Sequence, residues 1–372
     1  MKILVLTSRY TATRDIISED FGRQIRLFEA LRKFKHDIDF FCVDYRKLEN
    51  KNAKLHGINV FIRPLSMYYF LNLINSLNNI LKIKKYDLLI ATSDPLWGAF
   101  GYYYAKKYNI KFLYDLHDNY EVYLTYKMPF FGLLDRKIIK NADLVTTVSY
   151  ALRNLLIKRG IRRKKVWVIQ NGVDFNVFKP MDKNRCRKKL NIPLHKKIIV
   201  YAGSLQRSQG IDVLLQALQK VRKKNKDAIL VLAGRFFGNE GKYINVNKPN
   251  IKFLGSIKQD KVAELINAAD VAVVPNRANA FTKYCFPYKV VEYAACQKPI
   301  VATNVGDVAK FIGDYKDCLC RPDDSSDMAK KILIQLKKEG KKVRYNISNN
   351  TWKAIASKLN KIILSILTDK NN

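Results

Sequence analysis

The sequence predicts an α/β protein with two domains, each built on a parallel β-sheet that is covered by helices on both faces. Short apolar runs typical of buried strands alternate with segments whose apolar residues recur at helical spacing. This alternation fills the first half of the chain, is interrupted near residue 180, and begins again near residue 198. The length of 372 residues also favours two domains.

The first half contains seven short apolar segments that we interpret as strands. They are Ile3–Leu6, Ile38–Val43, Val60–Ile62, Leu88–Ala91, Lys111–Tyr114, Leu144–Val148 and Val166–Ile169. Between them, residues 19–35 and 66–83 carry apolar side chains at the spacing of a helix. The second of these helical segments is rich in aromatic residues and ends in lysines.

The second half repeats the pattern after a polar and basic run, residues 181–189, that is typical of a linker. Its predicted strands are Ile198–Ala202, Ile229–Ala233, Ile251–Leu254, Val271–Val274 and Ile300–Ala302. The tail, residues 347–367, has apolar side chains at helical spacing. We therefore predict a final helix that packs against another part of the fold.

The stretch Phe286–Thr303 carries the clearest chemical signal. Pro287 suits the first position of a short helix, because its missing N–H is not needed there. Lys289 and Glu292 lie three residues apart and would share a face of that helix. A lysine beside a helix N-terminus favours an anion, and Glu292 can accept hydrogen bonds from hydroxyl groups. A nucleotide offers both groups, whereas an ordinary surface Lys–Glu pair is the alternative interpretation.

Several classes of protein are disfavoured by the composition. There is no apolar run long enough for a transmembrane helix, and the start, Met1–Thr7, lacks the features of a secretory signal. The six cysteines are scattered, with neither metal-ligand spacing nor a disulfide framework. Together these features favour a cytosolic, reduced protein.

The net charge is extreme, with 68 Lys and Arg against 32 Asp and Glu, or +36. Such a field attracts polyanions, either nucleic acid or a membrane rich in anionic lipid. The alternative is drift of composition, since the chain is also rich in Asn and Ile, as in sequences from AT-rich genomes. The basic residues are spread along the chain and no nucleic-acid-binding module is recognisable, so we expect no nucleic-acid partner.

Short motifs follow one another in a characteristic order along nearly the whole chain. They are Asp115-Leu116-His117-Asp118, Ala142–Ser149, Asn171–Asp174 with Phe178–Pro180, Tyr201–Ile211, Ala268–Val271 with Val274–Pro275, and Pro287–Thr303. In this order they resemble the retaining family 4 glycosyltransferases of the GT-B fold, also described as glycosyl transferases group 1.

The resemblance implies two Rossmann-like domains facing across a cleft. The N-terminal domain, residues 1–179, would bind the acceptor, and the C-terminal domain, residues 180–350, would bind a nucleotide sugar. Residues 351–372 would form a helix that returns to the N-terminal domain. Such enzymes transfer a hexose with retention of anomeric configuration, by positioning and by stabilising the departing diphosphate. The resemblance implies no metal and no cofactor, only a nucleotide-diphosphate sugar as co-substrate.

The resemblance also assigns roles to single residues. His117, Arg207 and Lys289 are the expected catalytic residues, with His117 near the sugar and acceptor hydroxyl and the two cations at the diphosphate. A structural histidine in a loop after a strand is the alternative for His117. The expected donor-binding residues are Glu292, Tyr284, Gly203, Phe286 and Pro287. The expected acceptor-binding residues are Gly22, whose N–H can approach a phosphate, and Asp118.

Several positions depart from the family's pattern, among them Gln297, where a glycine is common. Tyr284 stands where the family has the first glutamate of a pair whose second member matches Glu292. Ser204 and Gln209 replace an arginine and a lysine of the phosphate loop, so Arg207 is expected to supply the missing charge. These departures motivate the alternative to an enzyme, which is a catalytically silent GT-B scaffold that acts as a binding or partner subunit.

Two basic and aromatic stretches, Met67–Lys85 and Tyr120–Lys140, lie in the predicted acceptor domain. Aromatic and aliphatic groups beside Lys and Arg are typical of helices that bind anionic lipid surfaces. Because many acceptors of this family are lipid-linked, we expect a lipid-linked or glycan acceptor and an enzyme bound peripherally at the cytoplasmic face of a membrane. The alternative is that both stretches are core helices with solvated, charged ends.

Overall fold

The structure, a computed structural model, describes residues 1–11, 14–313, 315–338 and 343–368, with side chains to residue 366. It divides into two compact units. The first unit comprises Met1–Asn171 and the C-terminal segment that begins at Trp352, and the second comprises Gly172–Thr351. In the described ranges, no helix is both long enough and apolar enough to span a membrane.

The strands, in chain order, are β1 (Lys2–Ser8), β2 (Tyr10–Thr11), β3 (Arg14–Asp15), β4 (Asp37–Asp44), β5 (Lys51–Leu55), β6 (Ile58–Pro64), β7 (Leu88–Thr92), β8 (Lys111–Leu116), β9 (Leu144–Thr147), β10 (Val166–Val168), β11 (Lys197–Ala202), β12 (Ala228–Ala233), β13 (Ile251–Phe253), β14 (Val271–Val274), β15 (Ile300–Thr303) and β16 (Leu319–Cys320). The α-helices are α1 (Arg23–Arg32), α2 (Phe70–Ile83), α3 (Pro95–Lys107), α4 (Phe131–Asn141), α5 (Tyr150–Lys158), α6 (Lys183–Lys189), α7 (Ile211–Lys224), α8 (Gln259–Ala268), α9 (Tyr288–Ala295), α10 (Asp307–Ile312), α11 (Ser325–Lys337) and α12 (Trp352–Thr368).

The first unit is built on an eight-stranded sheet in the order β10-β9-β8-β7-β1-β4-β6-β5. Neighbouring strands are parallel except for β5, which pairs with β6 in antiparallel register. At the centre, Ile3 of β1 lies between Ile38 of β4 and Leu88 of β7. The carboxyl ends of the parallel strands therefore share one edge of the sheet, and the loops that follow them carry the candidate site.

Successive side chains of each central strand face opposite helical layers of the first unit. Leu88 and Ile90 of β7 belong to the core cluster that includes α1 and α12. The intervening Leu89 and Ala91 face α3, since a Cβ built at Gly101 would lie 3.0 Å from a side-chain atom of each. The apolar run of β7 is continuous because both of its faces are buried.

The second unit is built on a six-stranded parallel sheet in the order β13-β12-β11-β14-β15-β16. One face, with Ile199 and Leu230, packs in a core with residues of α7 and α11. The other face, with Ile198 and Val231, packs in a core with residues of α6 and α8. The prediction of two domains with parallel sheets is thus confirmed.

The basic run that the sequence identified as a linker is instead the helix α6. The Asp182 side chain caps its N-terminus by accepting a hydrogen bond from the Arg185 backbone N–H at 2.6 Å. The Arg187 guanidinium is buried, lies 2.7 Å from an Asp270 oxygen and donates to the Ala268 carbonyl oxygen. A long-range carboxylate therefore neutralises part of this run, which cannot be deduced from local composition.

The boundary between the units also differs from the predicted residue 179, because the first unit ends at Asn171. The Val173 backbone N–H donates to the Asn350 carbonyl oxygen at 2.8 Å, which attaches the following segment to the second unit. The predicted helix over 66–83 begins only at Phe70. The stretch 120–140 forms two 3₁₀ turns, Tyr120–Val122 and Leu124–Lys127, followed by α4.

We expect Gly98→Ala to destabilise the first unit by about 1–3 kcal/mol, because overpacking of a dense core is costly. A Cβ at Gly98 of α3 would overlap the Tyr114 phenol ring, which is fully buried and donates a hydrogen bond to Asp135. The measurement is urea unfolding.

The matched control is Gly132→Ala in α4, where the nearest atoms to a Cβ lie 3.5 Å away. It should be neutral or stabilising by up to about 1 kcal/mol, and equal midpoints for both variants would contradict the packing described here.

Candidate active site

In the second unit, the loop after β11 makes a tight turn that leads into α7. Gly203 has φ +152° and Gly210 has φ +78°, and the two flank a 3₁₀ turn, Arg207–Gln209. A Cβ at Gly210 would overlap the Pro275 carbonyl oxygen, and a Cβ at Gly234 would overlap that of Gly203. Only glycine fits these positions, so the backbone of this loop is held close to the carboxyl ends of neighbouring strands.

Lys289 lies in the first turn of α9, whose N-cap is Pro287, and its side chain is buried against this loop. Its Nζ is 3.2 Å from the Tyr201 hydroxyl and 3.4 Å from the Gln209 Oε1, and 4.5 Å from the centre of the Tyr201 ring. Among the described residues, no carboxylate forms an ion pair with it. Burial lowers the pKa of Lys289 to about 8, so the site holds a buried cation without a direct ion pair in the described part of the chain.

The remaining donor residues surround α9. Glu292 is half-buried, and its negative charge opposes the lowering of the Lys289 pKa. Phe286 is buried against the ring of Phe311, 5.6 Å away between centroids, so its side chain packs in the core. Tyr284 is half-buried beneath the Lys283 ammonium, which lies 5.6 Å from its ring centre.

Arg207, the second cation predicted for the diphosphate, is engaged elsewhere. Its Nε lies 3.3 Å from Glu240, and its guanidinium stacks 4.5 Å from the ring centre of Tyr243. None of these partners contacts Lys289. The Arg207 guanidinium is therefore held by Glu240 and Tyr243 and not by the partners of Lys289.

Sequence reasoning missed two residues that position this region. The Tyr293 hydroxyl accepts a hydrogen bond from the Ala202 backbone N–H at 2.8 Å and so fixes α9 to the end of β11. Arg277 forms ion pairs with Asp212 and Asp323, and its Nε donates to the Arg207 carbonyl oxygen at 2.9 Å. Their partners are distant in sequence, so no local pattern indicated them.

In the first unit, the candidate site is built on Asp115, at the carboxyl end of β8. The Arg23 guanidinium donates to both Asp115 oxygens, at 3.0 and 3.3 Å, and the Thr92 and Thr146 hydroxyls donate at 3.0 and 2.7 Å. Burial opposes ionisation, but Arg23 and the hydroxyl donors hold the pKa of Asp115 below its usual value. Gly22, the N-cap of α1, immediately precedes Arg23, so this ion pair brings Gly22 to the loop that carries His117.

His117 is buried in the same loop. Its Nδ1 accepts a hydrogen bond from the Ser93 backbone N–H at 3.2 Å and lies 2.9 Å from the Tyr120 hydroxyl. Because a backbone N–H can only donate, the neutral ring carries its proton on Nε2, which lies 3.6 Å from an Asp118 oxygen. Burial lowers the pKa of His117 to about 4, so the imidazole is neutral at pH 7.

Asp118 completes this arrangement. Its carboxylate accepts a hydrogen bond from the Tyr123 hydroxyl at 3.1 Å, and burial raises its pKa to about 7. A neutral imidazole N–H beside a carboxyl group of near-neutral pKa can orient a hydroxyl group and exchange a proton with it. His117, Asp118 and Gly22 are thus brought to one edge of the sheet.

A cavity of about 360 Å³ lies beside this loop, between the 3₁₀ turn Tyr120–Val122, α4 and α5. Asp118 and Tyr120 form the wall nearest to His117. Within the described ranges, no group of three or more His, Cys, Asp or Glu side chains is arranged to hold a metal ion.

Comparison with known families assigns both units. Residues 25–177 match the family described as Glycosyltransferase Family 4, and residues 196–338 match Glycosyl transferases group 1. The putative glycosyltransferase YtcC of Bacillus subtilis strain 168 is 24% identical over 366 residues, covering 91% of this chain and 85% of YtcC.

Solved structures with a similar fold include sucrose-phosphate synthase from Thermosynechococcus elongatus, with a TM-score of 0.72 and 17% identity over 99% of this chain and 100% of that one. Anabaena HepE in complex with UDP-glucose has a TM-score of 0.72 and 21% identity, covering 99% of both chains. This likeness and the two family matches confirm the resemblance drawn from the sequence motifs. The chain is a member of the GT-B glycosyltransferases, with a Glycosyltransferase Family 4 domain followed by a Glycosyl transferases group 1 domain.

Proposed function

We propose that this protein transfers a hexose from a nucleotide-diphosphate sugar to a lipid-linked or glycan acceptor, with retention of anomeric configuration and without a metal ion. The observation that carries the proposal is the buried Lys289 ammonium, held against the glycine loop without a carboxylate partner among the described residues. A buried charge is costly unless it is paired. A diphosphate would provide that pair, together with the N–H groups at the start of α9 and in the loop.

The donor base is proposed to be uracil. HepE, a structural neighbour, was solved with UDP and with UDP-glucose. In this chain Glu292, one turn after Lys289 on α9, would accept hydrogen bonds from ribose hydroxyls. Lys289 would stabilise the departing diphosphate electrostatically. Arg207 would join it only by exchanging Glu240 for a phosphate oxygen, so we assign it a secondary role.

The acceptor is proposed to bind the first unit near His117 and Asp118. The Nε2–H of the neutral imidazole and the Asp118 carboxyl group would orient a sugar or acceptor hydroxyl. In retaining transfer the leaving phosphate can take the acceptor proton, so these residues need only position the hydroxyl. Two family matches that together span both units, with Lys289, Glu292 and His117 all present, disfavour the silent scaffold.

A surface of the first unit supports peripheral binding to an anionic membrane at the cytoplasmic face. Exposed large apolar side chains cluster at the start of α2 and before and within α4: Met67 (98% exposed), Tyr68, Leu71, Leu124, Phe130 (81%) and Leu133. We call this set the apolar edge. Residues 50–86 contain Lys and Arg but no Asp or Glu, which suits contact with anionic lipid.

The two parts of the apolar edge flank the same helix. Phe70 packs on Phe100 of α3, with ring centroids 6.1 Å apart. The Thr125 hydroxyl donates to Asp94, the N-cap of α3, at 3.2 Å. Both stretches therefore have a buried side and an exposed apolar side, as an interfacial element requires.

We expect Lys289→Met to weaken UDP binding about 10- to 100-fold, because a hydrogen bond between charged groups contributes about 1.5–3 kcal/mol. Calorimetry with UDP, ADP, GDP and CMP measures this and identifies the base. The control is Lys223→Met on α7, which also removes one positive charge but at an exposed position. It should leave the affinity for UDP unchanged.

A second substitution sharpens the test of the donor site. Since Gln209 Oε1 lies 3.4 Å from the Lys289 Nζ, adding Gln209→Lys to Lys289→Met restores a cation at nearly the same place. We expect it to recover part of the affinity. If no nucleotide binds the native protein, the proposed transfer is wrong and the scaffold alternative gains support.

The affinity for UDP should fall as the pH rises. The pKa of Lys289 is about 8, so its charge is present below pH 8 and lost above it. One pH unit above the pKa leaves about a tenth of the ammonium, so we expect about tenfold weaker binding at pH 9 than at pH 7. Lys289→Met should abolish this pH dependence. If the affinity for UDP fell equally with pH in the variant and in the native protein, another titrating group would be responsible.

We expect the protein to bind vesicles that contain anionic phosphatidylglycerol more strongly than neutral phosphatidylcholine vesicles. The paired change Met67→Asp with Leu71→Asp should weaken this partition at least tenfold, because each charge near the bilayer surface changes the free energy by about 1 kcal/mol and apolar contact is lost too. Sedimentation measures it. The control pair, Leu194→Asp with Leu364→Asp, changes two exposed leucines outside the apolar edge. Equal loss in both pairs would refute this docking surface.

A further inference from the structure

The 360 Å³ cavity of the first unit has walls that the proposed sugar transfer does not use, except at Asp118. Its volume lies within the range of about 300–1,000 Å³ that is typical of small-molecule sites. Its lining residues all belong to the first unit and come from β8, the two 3₁₀ turns, α4, α5 and the loops beside them.

The depth of the cavity is mainly aliphatic. Leu116, Ile139, Leu152 and Leu156 line it, all buried, together with the half-buried Ile161. Asp135 also borders it, but both of its oxygens accept hydrogen bonds from phenol groups, those of Tyr114 and Tyr126. Its carboxylate is therefore satisfied within the protein, and the interior favours a hydrocarbon.

The rim of the cavity is cationic. Arg136, Lys140 and Arg159 are exposed there, and of the three carboxylates that line the cavity, Asp118, Glu121 and Asp135, it is Glu121 that pairs with the two arginines. The Arg159 guanidinium binds both Glu121 oxygens, at 2.6 and 3.0 Å, whereas the Arg136 Nη2 is 3.8 Å from the nearer one. Arg159 is thus neutralised by Glu121, which leaves Arg136 and Lys140 as exposed cations beside an aliphatic interior.

From this arrangement we infer that the cavity binds an amphiphile consisting of one alkyl chain that ends in a phosphate. The chain lies among the leucine and isoleucine side chains between α4 and α5, and the phosphate pairs with Arg136 and Lys140. The neighbouring Val122, Leu133 and Leu134 are exposed, so they give such a chain an apolar approach to the mouth.

A ligand in the cavity would affect the candidate active site through Tyr120. Tyr120 lines the cavity, and its hydroxyl lies 2.9 Å from the His117 Nδ1. A chain that packs on the Tyr120 ring restricts the group that orients the imidazole. This consequence rests on the proposed function, whereas the binding itself does not.

Dodecyl phosphate, kept below its micelle concentration, is the probe, and calorimetry with the full chain is the measurement. We expect saturable binding of one molecule, with an affinity that rises about fourfold for each methylene added from octyl to dodecyl phosphate. Inorganic phosphate alone should bind at least 100-fold more weakly. No saturable binding, or an affinity independent of chain length, would overturn the inference.

Two variants test the placement. Arg136→Gln with Lys140→Gln should weaken dodecyl phosphate at least tenfold, and Ile161→Trp, which fills the mouth, should do the same. The control pair, Lys127→Gln with Lys137→Gln, removes two charges that do not line the cavity. Equal affinity in all these proteins would place the ligand elsewhere.

The remaining controls separate this inference from the proposed transfer. UDP binding, measured on the same variants, reports the donor site of the second unit and shows that the chain is folded. Competition by phosphatidic acid vesicles would identify a bilayer lipid as the source of the chain, and its absence would identify a soluble alkyl phosphate. Both results support the site, because either requires the rim cations and the aliphatic interior.

Discussion

The buried ion pair between Arg23 and Asp115 is the interaction on which the candidate site of the first unit depends. It joins the start of α1 to the end of β8, and the hydroxyls of Thr92 and Thr146 attach the ends of β7 and β9 to the same carboxylate. Removing one partner of such a pair leaves an uncompensated buried charge, at a cost of about 3–5 kcal/mol. Four elements therefore hold the loop of His117 in one position, as a preorganised site requires.

The second unit contains a buried charge that has no direct ion pair among the described residues. Asp115 is surrounded by donors, but Lys289 has only the neutral Tyr201 and Gln209 as close polar partners in the described part of the chain. Tyr293 fixes α9 to β11, so the backbone that carries Lys289 is held beside the glycine loop. Asp115 is thus a buried charge that is paired and positions a loop. Lys289 is a buried charge without such a pair, and an anionic ligand can provide one.

The sequence sufficed for those features that depend on local pattern. Continuous apolar runs predicted the buried strands, and Pro287 with the apolar residues that follow it predicted the short helix α9. The predictions that were wrong concern residues whose partners are distant in sequence. The basic helix α6 needs Asp270, and Arg207 is held by Glu240, 33 residues away. The cavity is lined by residues of β8, the two 3₁₀ turns, α4 and α5, so no single stretch of sequence could have indicated it.

The first unit is discontinuous in the chain, and this has a consequence for biosynthesis. Its core contains Ile355, Leu359 and Ile363 of α12 beside α1, yet the whole second unit, Gly172–Thr351, is translated in between. At about 5–20 residues per second, the ribosome needs roughly 10–40 s to synthesise that insertion. During this time the apolar side of α1 is not covered by α12. The second unit is continuous in the chain, so its core can be completed before that of the first unit, although the first unit begins earlier.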